Sequence, residues 1–324
     1  MSLDNKNIFL AGSSGLAGTA IIKWLLRYYP SIKIRAAYHH TEPFIKDDRI
    51  RCVQGDLSIL SDCKRMVRGC DCAIMAAAKT SGAAVLTKQP WQQVTDNAVM
   101  NTVMLQSFFD EGIKRVIYIS SASLYQELKG YIKEEDLDLN KEPHAAYLGI
   151  GWVTRFTEKL CAFWHHQGME IVIARAANIF GPYARFDPAN SNFIPALIRK
   201  AVAKMDPFEV WGNPAVTRDV VYVDDFAKAV IMMLDNSNIQ FDVFNIGSSV
   251  KTTVGDVVQW VLQYSGHNPA HIVYNEQSPS TVPFRVLDNS KAKAILGWNL
   301  EYSVAEGINK TIEWWKENHE RWIR

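Results

Sequence analysis

The chain has 324 residues, enough for one large domain or two domains of moderate size. Hydrophobic residues make up 48% of it and charged residues 21%, which is ordinary for a globular enzyme. A formal net charge of +1 excludes the strong attraction to nucleic acid or to anionic membranes that basic proteins show, so neither is an expected partner.

The sequence shows no pattern for membrane insertion, secretion or metal binding. No apolar run is long enough to span a bilayer, and a strand pattern begins so near the N-terminus that a signal peptide is not expected. The five cysteines are odd in number and lack the spacing of a zinc site, so neither a disulfide framework nor a metal is predicted. We therefore expect a cytoplasmic protein.

Short β-rich segments alternate with helical patterns in the first part of the chain. The predicted strands are 7–11, 33–38, 50–53, 72–77, 115–120 and 170–174, and the predicted helices are 16–29, 61–68, 90–111 and 151–167. This alternation predicts an α/β fold with a doubly wound parallel Rossmann sheet, because right-handed crossovers place helices on both faces. Ligands of such sheets bind at the carboxyl ends of the strands.

The sequence GSSGLAG, which begins at Gly12, joins the first predicted strand to the first predicted helix. Gly12 permits a tight turn, Gly15 has no Cβ to keep a pyrophosphate away, and Gly18 lets the helix approach the strand. Backbone N–H groups of the turn, which includes Ser14 and Leu16, then hold phosphates at the positive end of the helix. The pattern predicts a pyridine dinucleotide site, and a tight turn that binds nothing is the alternative.

The end of the second predicted strand distinguishes between the two pyridine dinucleotides. A carboxylate at this place binds the ribose 2′-hydroxyl of NAD(H) and repels the 2′-phosphate of NADP(H). The chain has Tyr38, His39 and His40 there, which favours NADP(H) over NAD(H). The alternative is that the two histidines are solvated loop residues.

The regular alternation ends near Asn178, after which prolines interrupt the sequence. Residues 1–178, with returns near 224–247, are predicted to form the dinucleotide-binding Rossmann domain. Residues 179–223 and 248–324 are predicted to form a smaller substrate-binding lobe that folds over the carboxyl edge of the sheet.

Several longer motifs follow the predicted strands. They are AAAK at 76–79, ISSASLY at 119–125, RAANIFGP at 175–182, RDVVYVDD at 218–225 and LGW at 296–298. With the GxxGxxG spacing of the glycine turn, these motifs resemble the NAD(P)-dependent epimerase/dehydratase family, in the extended branch of the short-chain dehydrogenase/reductase superfamily. The resemblance runs from Ile8 to about Asn318 and implies a nucleoside-diphosphate sugar as the substrate.

The resemblance also implies ligand contacts. On the cofactor side the implied positions are Asp56, Leu57, Ala77, Lys79 and Asn97, and on the substrate side they are Asn178, Asn192, Lys200, Arg218 and Arg285. Asn178 and Arg218 match residues that contact the substrate's diphosphate, and a planar guanidinium fork suits phosphate oxygens. The alternative for Arg218 is a salt bridge with Asp219 or Asp225.

Members of this family use Ser, Tyr and Lys side chains. The Tyr moves a proton to or from a sugar oxygen while a hydride passes, and a Lys four residues later assists it from the same helix face. Ser121 matches the serine, but the Tyr-Lys pair is not matched. In one register Tyr147 supplies the phenol and Gly151 stands where the lysine belongs; in a second register the positions are Ile150 and Thr154. Tyr147 is therefore the best available proton donor.

Three other side chains could compensate for the missing lysine. Lys79 and Arg155 could each bring positive charge to Tyr147, or could have purely local roles. His144 is a candidate acid, or else an exposed loop residue.

Two further positions differ from family members that epimerise a keto sugar at C3 and C5. Those members have a cysteine and a histidine where this chain has Ser123 and Asn192. Neither replacement titrates usefully near neutral pH, so that epimerisation is not expected. Ser123 remains a predicted active-site residue beside Ser121.

Three functions stay open at this point. The first is an NADP(H)-dependent reductase of a 4-keto nucleotide sugar, or an epimerase; reduction is favoured because a phenol can donate a proton without a neighbouring lysine. The second is a catalytically impaired protein that binds the cofactor and a nucleotide sugar in a regulatory or partner role. The third is an enzyme whose substrate has no diphosphate.

A homodimer is expected by analogy with the family, in which two long helices form a four-helix interface. The corresponding predicted helices are 90–111 and 151–167. The apolar residues on them are Leu105, Phe108, Phe109, Phe156 and Phe163, which form the interface unless they pack on the sheet.

Overall fold

The computed structural model describes residues 3–80, 89–278, 282–320 and 322. In chain order the strands are β1 (Asn7–Ala11), β2 (Lys33–Tyr38), β3 (Ile50–Gln54), β4 (Cys72–Met75), β5 (Arg115–Ser121), β6 (Tyr131–Ile132), β7 (Glu170–Ala176), β8 (Asn178–Phe180), β9 (Phe208–Trp211), β10 (Thr217–Arg218), β11 (Val220–Tyr222), β12 (Phe241–Ile246), β13 (Thr252–Thr253), β14 (Ile272–Asn275) and β15 (Phe284–Leu287). The helices are α1 (Leu16–Tyr28), α2 (Leu60–Val67), α3 (Val94–Asp110), α4 (Leu148–His166), α5 (Phe193–Val202), α6 (Val223–Asp235), α7 (Val254–Ser265), α8 (Ser290–Leu296) and α9 (Val304–Asn318).

Seven strands form one parallel sheet in the order β12-β7-β5-β4-β1-β2-β3. The chain first adds β1, β2 and β3 from the centre of the sheet towards one edge. It then adds β4, β5, β7 and β12 from the centre towards the other edge. An apolar core lies on each face of the sheet; α1 and α6 contribute to one, and α2, α3 and α4 to the other. This arrangement confirms the predicted α/β doubly wound fold, and it brings the carboxyl ends of β1 and β4 together at the point where the direction reverses.

The strand predictions agree with the structure where buried apolar runs are continuous. β1 and β2 have the predicted bounds, whereas β4 ends at Met75 rather than at residue 77. Ala76 and Ala77 leave the strand because their backbone passes against Gly12, at a distance that leaves no space for a side chain on that glycine.

The two long helices also differ from their predicted bounds. The segment from Pro90 begins with a 3-10 turn (Pro90–Gln93) before α3 starts, and α4 starts at Leu148 instead of at residue 151. Glycine has a poor intrinsic helix propensity, which is why the sequence indicated a later start. Packing overrides this preference, since a Cβ on Gly149 would lie 2.6 Å from a methyl carbon of Val94 on α3.

Beyond β7 the chain returns to the large sheet and, together with β6, forms smaller units. The smaller units include a four-stranded sheet in the order β13-β10-β15-β6 and the strand pairs β11-β8 and β14-β9. α6 packs against α1, and β12 forms the edge of the seven-stranded sheet beside β7. Across the described ranges, no helix is long and apolar enough to cross a membrane.

Asp225 joins the first turn of α6 to the segment that leads into α9. Its carboxylate accepts hydrogen bonds from the backbone N–H groups of Glu301 (2.7 Å) and Tyr302 (3.2 Å). Burial raises the pKa of Asp225 to about 6. This pKa lies above the value of about 3.9 in an unfolded chain, so the folded state favours the protonated carboxyl group. The resulting contribution to stability is complete below about pH 4 and is lost as the pH rises through about 6.

We therefore expect Asp225→Asn to change the pH dependence of stability. Between about pH 4 and about pH 7, the wild type should lose up to about 3 kcal/mol of unfolding free energy relative to the variant. Urea unfolding of both proteins at the two pH values measures this difference. A stability difference that does not change with pH, or that moves in favour of the wild type, would contradict the assignment.

Candidate active site

The glycine turn between β1 and α1 is closely packed on its inner side. Gly12 has a φ of +74°, and a Cβ on it would lie 2.7 Å from backbone atoms of Ala76 and Ala77. A Cβ on Gly18 would lie 2.2 Å from the carbonyl oxygen of Gly12, so this glycine allows the close approach of α1. Gly15 caps α1, and the nearest non-neighbouring atom of the described residues to its Cβ position is 3.3 Å away. Packing thus excludes a side chain at Gly12 and at Gly18, whereas a Cβ on Gly15 would make a single tight contact, with the Gly12 carbonyl oxygen.

A carboxylate lies near the end of β2, although the sequence analysis did not identify one. The Tyr38 hydroxyl donates a hydrogen bond to Glu42 (3.3 Å), and Lys46 pairs with the same carboxylate at 2.8 Å. The rings of His39 and His40 lie 3.8 Å apart between centroids. Glu42 was missed because it is four residues beyond Tyr38 and reaches the strand end only through the fold of the loop.

Asp56 follows β3 at the same edge of the sheet. Its carboxylate accepts hydrogen bonds from the Ser58 backbone N–H (2.8 Å) and hydroxyl (2.7 Å), and these bonds lower the pKa of Asp56. Nε2 of His39 lies 3.9 Å from the carboxylate. Leu57 packs against the core on the α2 side. The ends of β2 and β3 therefore present a mixture of both charge signs.

The segment after β4 is held by α3. The Lys79 backbone N–H donates to Oδ1 of Asn97 (2.9 Å), and Nδ2 of Asn97 donates to the Lys79 carbonyl (3.0 Å). The Lys79 ammonium pairs with Asp96. Asn97 thus fixes the backbone beside the glycine turn, and the charge of Lys79 is directed to a local partner.

A cleft at the carboxyl edge of the sheet collects the predicted catalytic and diphosphate positions. Its lining includes Ser121, Ser123, Tyr147, Asn178, Arg218 and Arg285. Oγ of Ser121 accepts the Ser123 backbone N–H at 3.2 Å, while Oγ of Ser123 is buried without a hydrogen-bond partner among the described residues. Tyr147 ends a 3-10 turn (Ala145–Tyr147) just before α4. The enclosed space is about 90 Å³, so the cleft must widen to hold a ligand that fills the roughly 300–1,000 Å³ of typical pockets.

Two arginines stand side by side in this cleft. β10 and β15 pair in parallel with Arg218 opposite Arg285. The Arg218 guanidinium donates to the carbonyls of Thr217 (3.1 Å) and Val282, and Cζ of Arg285 lies 4.9 Å from the centroid of the Tyr147 ring. Burial lowers the pKa of both guanidinium groups, and the Tyr147 phenol acts in the opposite direction on each. Two guanidinium groups therefore line the cleft together with the buried Asp219, and they can bind an anion.

The remaining predicted substrate positions lie apart from one another. Nδ2 of Asn178 donates to the Asp219 carbonyl (3.0 Å) at the rim of the cleft. Asn192 is exposed at the start of α5, and Lys200 donates to the Glu209 carbonyl at 2.8 Å. Neither Asn192 nor Lys200 is among the described residues that line the cleft.

The first-register lysine position has no space for a side chain. A Cβ on Gly151 would lie 2.6 Å from Cβ of Pro143 and 2.9 Å from the carbonyl oxygen of Ser123. In the second register, the Thr154 hydroxyl donates to the Ile150 carbonyl (2.8 Å) inside the helix. Neither register places a cation on α4 beside Tyr147.

The side chains considered as substitutes for the lysine have different positions. Arg155 is buried and donates to the carbonyls of Leu124 (2.8 Å) and Lys141, so its role is local, as is that of Lys79. His144 accepts the Ala146 N–H on Nδ1 (3.2 Å), and its ring lies 6.4 Å from that of Tyr147. Burial, followed by the charge of Arg285, lowers the pKa of His144. His144 is therefore a neutral side chain near pH 7, and its ring lies close to the Tyr147 phenol.

A buried ion pair beneath the cleft was not predicted. Arg175 at the end of β7 binds Glu158 of α4 at 2.7 Å, and the Ser120 hydroxyl donates to the same carboxylate at 2.6 Å. Arg175 also donates to the hydroxyl of Tyr125 at 2.9 Å. This network fixes the ends of β5 and β7, from which Ser121 and Asn178 extend. The only sequence signal for this ion pair was the RAANIFGP motif, which begins at Arg175.

No cluster of metal-binding side chains occurs in the part of the chain that the structure describes.

Comparison with known protein families identifies one that fits most of the chain. The sequence model of the NAD dependent epimerase/dehydratase family matches residues 8–247. Within the family, the motifs described above resemble those of GDP-fucose synthases. GDP-L-fucose synthase 1 of Arabidopsis thaliana is 27% identical over 326 residues, covering 98% of this chain and 95% of the relative.

GDP-mannose 3,5-epimerase of the same plant is 28% identical and covers 98% of this chain and 84% of that protein. Among solved structures, UDP-glucose 4-epimerase of Thermotoga maritima with UDP-glucose superposes with a TM-score of 0.84 at 21% identity, covering 97% of this chain and 99% of the other. The last similarity establishes the fold, and the family model establishes the family. The chain belongs to the NAD dependent epimerase/dehydratase family.

Proposed function

We propose that the chain is an NADP(H)-dependent nucleotide-sugar oxidoreductase that acts as a 4-keto reductase or as an epimerase. One observation carries this proposal: Ser121 and Tyr147 share a cleft with the paired Arg218 and Arg285 at the carboxyl edge of the sheet. A proton donor and a diphosphate-sized cationic surface in one cleft suit a sugar linked to a nucleoside diphosphate. The names of the curated relatives, which include GDP-L-fucose synthases and GDP-mannose 3,5-epimerases, support the same substrate class.

The residues present fit a dinucleotide. Gly15 is the N-cap of α1 and provides no side-chain cap, so the backbone N–H groups at this helix end can bind phosphates. Asp56 follows β3 and would border the adenine side, and Asn97 of α3, which holds the segment after β4, would border the nicotinamide side. When bound, the dinucleotide supplies or accepts a hydride.

The preference for NADP(H) over NAD(H) rests on the loop after β2. His39, His40 and Lys46 offer hydrogen-bond donors or positive charge for a 2′-phosphate, and Glu42 opposes it. Because Lys46 pairs with Glu42, the histidines are the groups left to favour the phosphate. The ratio of the dissociation constants for NADPH and NADH measures this preference, and tighter binding of NADH would reverse it.

In the reducing direction, Tyr147 donates its phenolic proton to the oxygen of the sugar carbonyl as that carbon is reduced. Ser121 holds the same oxygen through a hydrogen bond and limits its movement. Arg218 and Arg285 bind the diphosphate, with Asn178 at the rim of the cleft. Donation of a proton needs no neighbouring lysine to activate the phenol as a base, which favours reduction over oxidation.

The cleft also bears on the 3,5-epimerisation that the sequence argues against. Ser123 is buried in the cleft, whereas Asn192 is exposed at the start of α5. Neither side chain titrates usefully near neutral pH, so neither supplies the acid or the base that this reaction needs. We therefore propose that the chain does not carry out the epimerisation of GDP-fucose synthases.

The proposed function is tested by NADPH oxidation with 4-keto forms of UDP-, GDP-, CDP- and dTDP-sugars. Tyr147→Phe should lower the rate at least about 100-fold, as expected for loss of a general acid, while Tyr131→Phe on β6 should leave it unchanged. Arg218→Gln should raise KM for the nucleotide sugar and leave the affinity for NADPH unaltered. An unchanged rate in Tyr147→Phe excludes the phenol as proton donor, and an unchanged KM in Arg218→Gln favours a substrate without a diphosphate.

A second candidate function is a binding protein with impaired catalysis. The observation in its favour is that neither register places a lysine beside Tyr147 and that Gly151 has no space for one. Thermal stabilisation by NADPH and by a nucleotide sugar, with no turnover of any 4-keto sugar, would support this function instead.

We also propose a homodimer through α3 and α4, which pack against each other. Leu105 and Phe108 are buried in the core on one face of the sheet, so these two residues pack inside the protomer and do not form the interface. Phe109, Phe156 and Phe163 are 42%, 48% and 50% exposed and form an apolar face that a second copy would cover. Phe156→Glu should convert a dimer into a monomer in sedimentation equilibrium; a monomeric wild type excludes this interface.

A further inference from the structure

The charge that assists Tyr147 has to come from somewhere other than α4. Gly151 leaves no space for a lysine, and the Thr154 hydroxyl is occupied inside the helix. Lys79 pairs with Asp96, and Arg155 donates to the backbone carbonyls of Leu124 and Lys141. The cations that remain near the phenol belong to β10 and β15.

Arg285 has the closer relation to the ring. Its Cζ lies 4.9 Å from the centroid of Tyr147, within the range in which a cation over an aromatic face is attracted to it. The side chain is 7% exposed, and among the described residues no acceptor is hydrogen-bonded to its guanidinium. By contrast, Arg218 donates to the carbonyls of Thr217 and Val282. The Arg285 donors are thus available to the cleft.

The backbone around Arg285 keeps this contact in place. The Arg285 carbonyl accepts the Asp219 N–H at 2.8 Å, and the buried Asp219 carboxylate accepts the Leu287 N–H at 3.0 Å. The same carboxylate accepts the N–H of Ser248, which follows β12 of the large sheet, at 2.7 Å. β15 is therefore tied to the sheet that carries Ser121, which fixes the position of the Arg285 backbone relative to Ser121.

We propose that Arg285 is the positioning residue that replaces the family's lysine: it orients the Tyr147 ring and stabilises the phenolate formed when Tyr147 gives up its proton. This inference rests on the proposed function for its chemistry. In the step concerned, the phenolic O–H bond breaks, the proton passes to the oxygen of the carbonyl that receives the hydride of the proposed reductant, and negative charge remains on Tyr147. Water returns a proton to the phenolate after the product leaves.

The competing role for Arg285 is binding of the diphosphate alone, and a double-mutant cycle separates the two. If Arg285 acts through the phenol, Arg285→Gln lowers kcat about tenfold or more in the wild type and less than about twofold in the Tyr147→Phe background. Arg285→Lys recovers part of the loss, because it keeps a cation there. An equal loss of kcat in both backgrounds, or a change in KM alone, would overturn the proposal.

A second measurement does not depend on turnover. In protein labelled with ¹³C on tyrosine rings, the Tyr147 signal is the one absent from Tyr147→Phe. We expect this signal to shift in Arg285→Gln and much less in Arg285→Lys, while Lys200→Gln leaves it unchanged. A Tyr147 signal that does not respond to Arg285→Gln in the folded protein overturns the inference, even if the enzyme reduces nucleotide sugars. If the Tyr147 signal shifts in Arg285→Gln but the enzyme turns over no 4-keto sugar, the contact between Arg285 and Tyr147 is supported and the proposed function is wrong.

Discussion

Gly12→Ala is expected to destabilise the protein by several kcal/mol and to abolish dinucleotide binding. The backbone at Gly12 has a φ of +74°, which costs a residue with a Cβ roughly 1–3 kcal/mol. The added Cβ would also lie 2.7 Å from backbone atoms of Ala76 and Ala77, which cannot move without disturbing β4. Overpacking of this kind costs about 1–3 kcal/mol more. Urea unfolding and titration with NADPH measure the two effects.

Gly69→Ala is the matched control for the backbone term. Gly69 has a φ of +75°, and no atom of the described residues lies within 4 Å of its Cβ position. The control should therefore lose only the cost of the backbone conformation and should bind NADPH like the wild type. If Gly12→Ala is no less stable than Gly69→Ala, the close contact between the turn and the segment after β4 is wrong.

Gly151→Lys, which restores the family's lysine in the first register, is expected to lower activity and stability rather than to increase either. Its Cβ would lie 2.6 Å from Cβ of Pro143 and 2.9 Å from the Ser123 carbonyl oxygen. Relief of these contacts requires α4 to move away from the cleft, at a cost of about 1–3 kcal/mol or more. Such a movement also displaces Tyr147, which immediately precedes α4. Thermal unfolding and the NADPH oxidation rate measure the outcome.

Gly255→Ala in the first turn of α7 provides the control, because no atom of the described residues lies closer than 3.5 Å to its Cβ position. Alanine there should stabilise the protein by about 0.5–1 kcal/mol through its better helix propensity. If Gly151→Lys folded as well as the wild type and turned over faster, the steric account of the missing lysine would be wrong and Tyr147 would be confirmed in the first register.

The sequence predicted the fold well because its signals are local. Continuous apolar runs define β1 and β2, and the glycine turn between β1 and α1 depends on residues a few positions apart. The start of α4 was predicted too late because helix propensity penalises Gly149, whereas the contact of this residue with Val94 of α3 is a tertiary effect. Bounds set by packing between distant elements could not be obtained from local patterns.

In the candidate site too, local motifs identify individual residues, whereas packing between distant elements determines how these residues are arranged. Ser121, Tyr147 and Arg218 could be named from motifs, but their relative arrangement depends on how β10 and β15 pack against the large sheet. The sequence suggested Lys79, which follows the fourth predicted strand, and Arg155, which adjoins Thr154, as sources of positive charge, but each binds another partner. The family resemblance named Arg285 as a substrate contact, but its contact with the Tyr147 ring joins residues far apart in the chain, and no spacing rule could have predicted that contact.

The central claim is that the turn around Gly15 binds the pyrophosphate of a pyridine dinucleotide. Calorimetric titration of NADPH into the ligand-free wild type and into Gly15→Ala tests it most directly, since Gly15 is the glycine of the turn at which an added Cβ meets the fewest atoms of the described residues. Saturable binding to the wild type, at least about tenfold weaker in a Gly15→Ala protein that still unfolds cooperatively, is the predicted result. Equal affinity in the two proteins, or no affinity of the wild type for NADPH or NADH, would contradict the account.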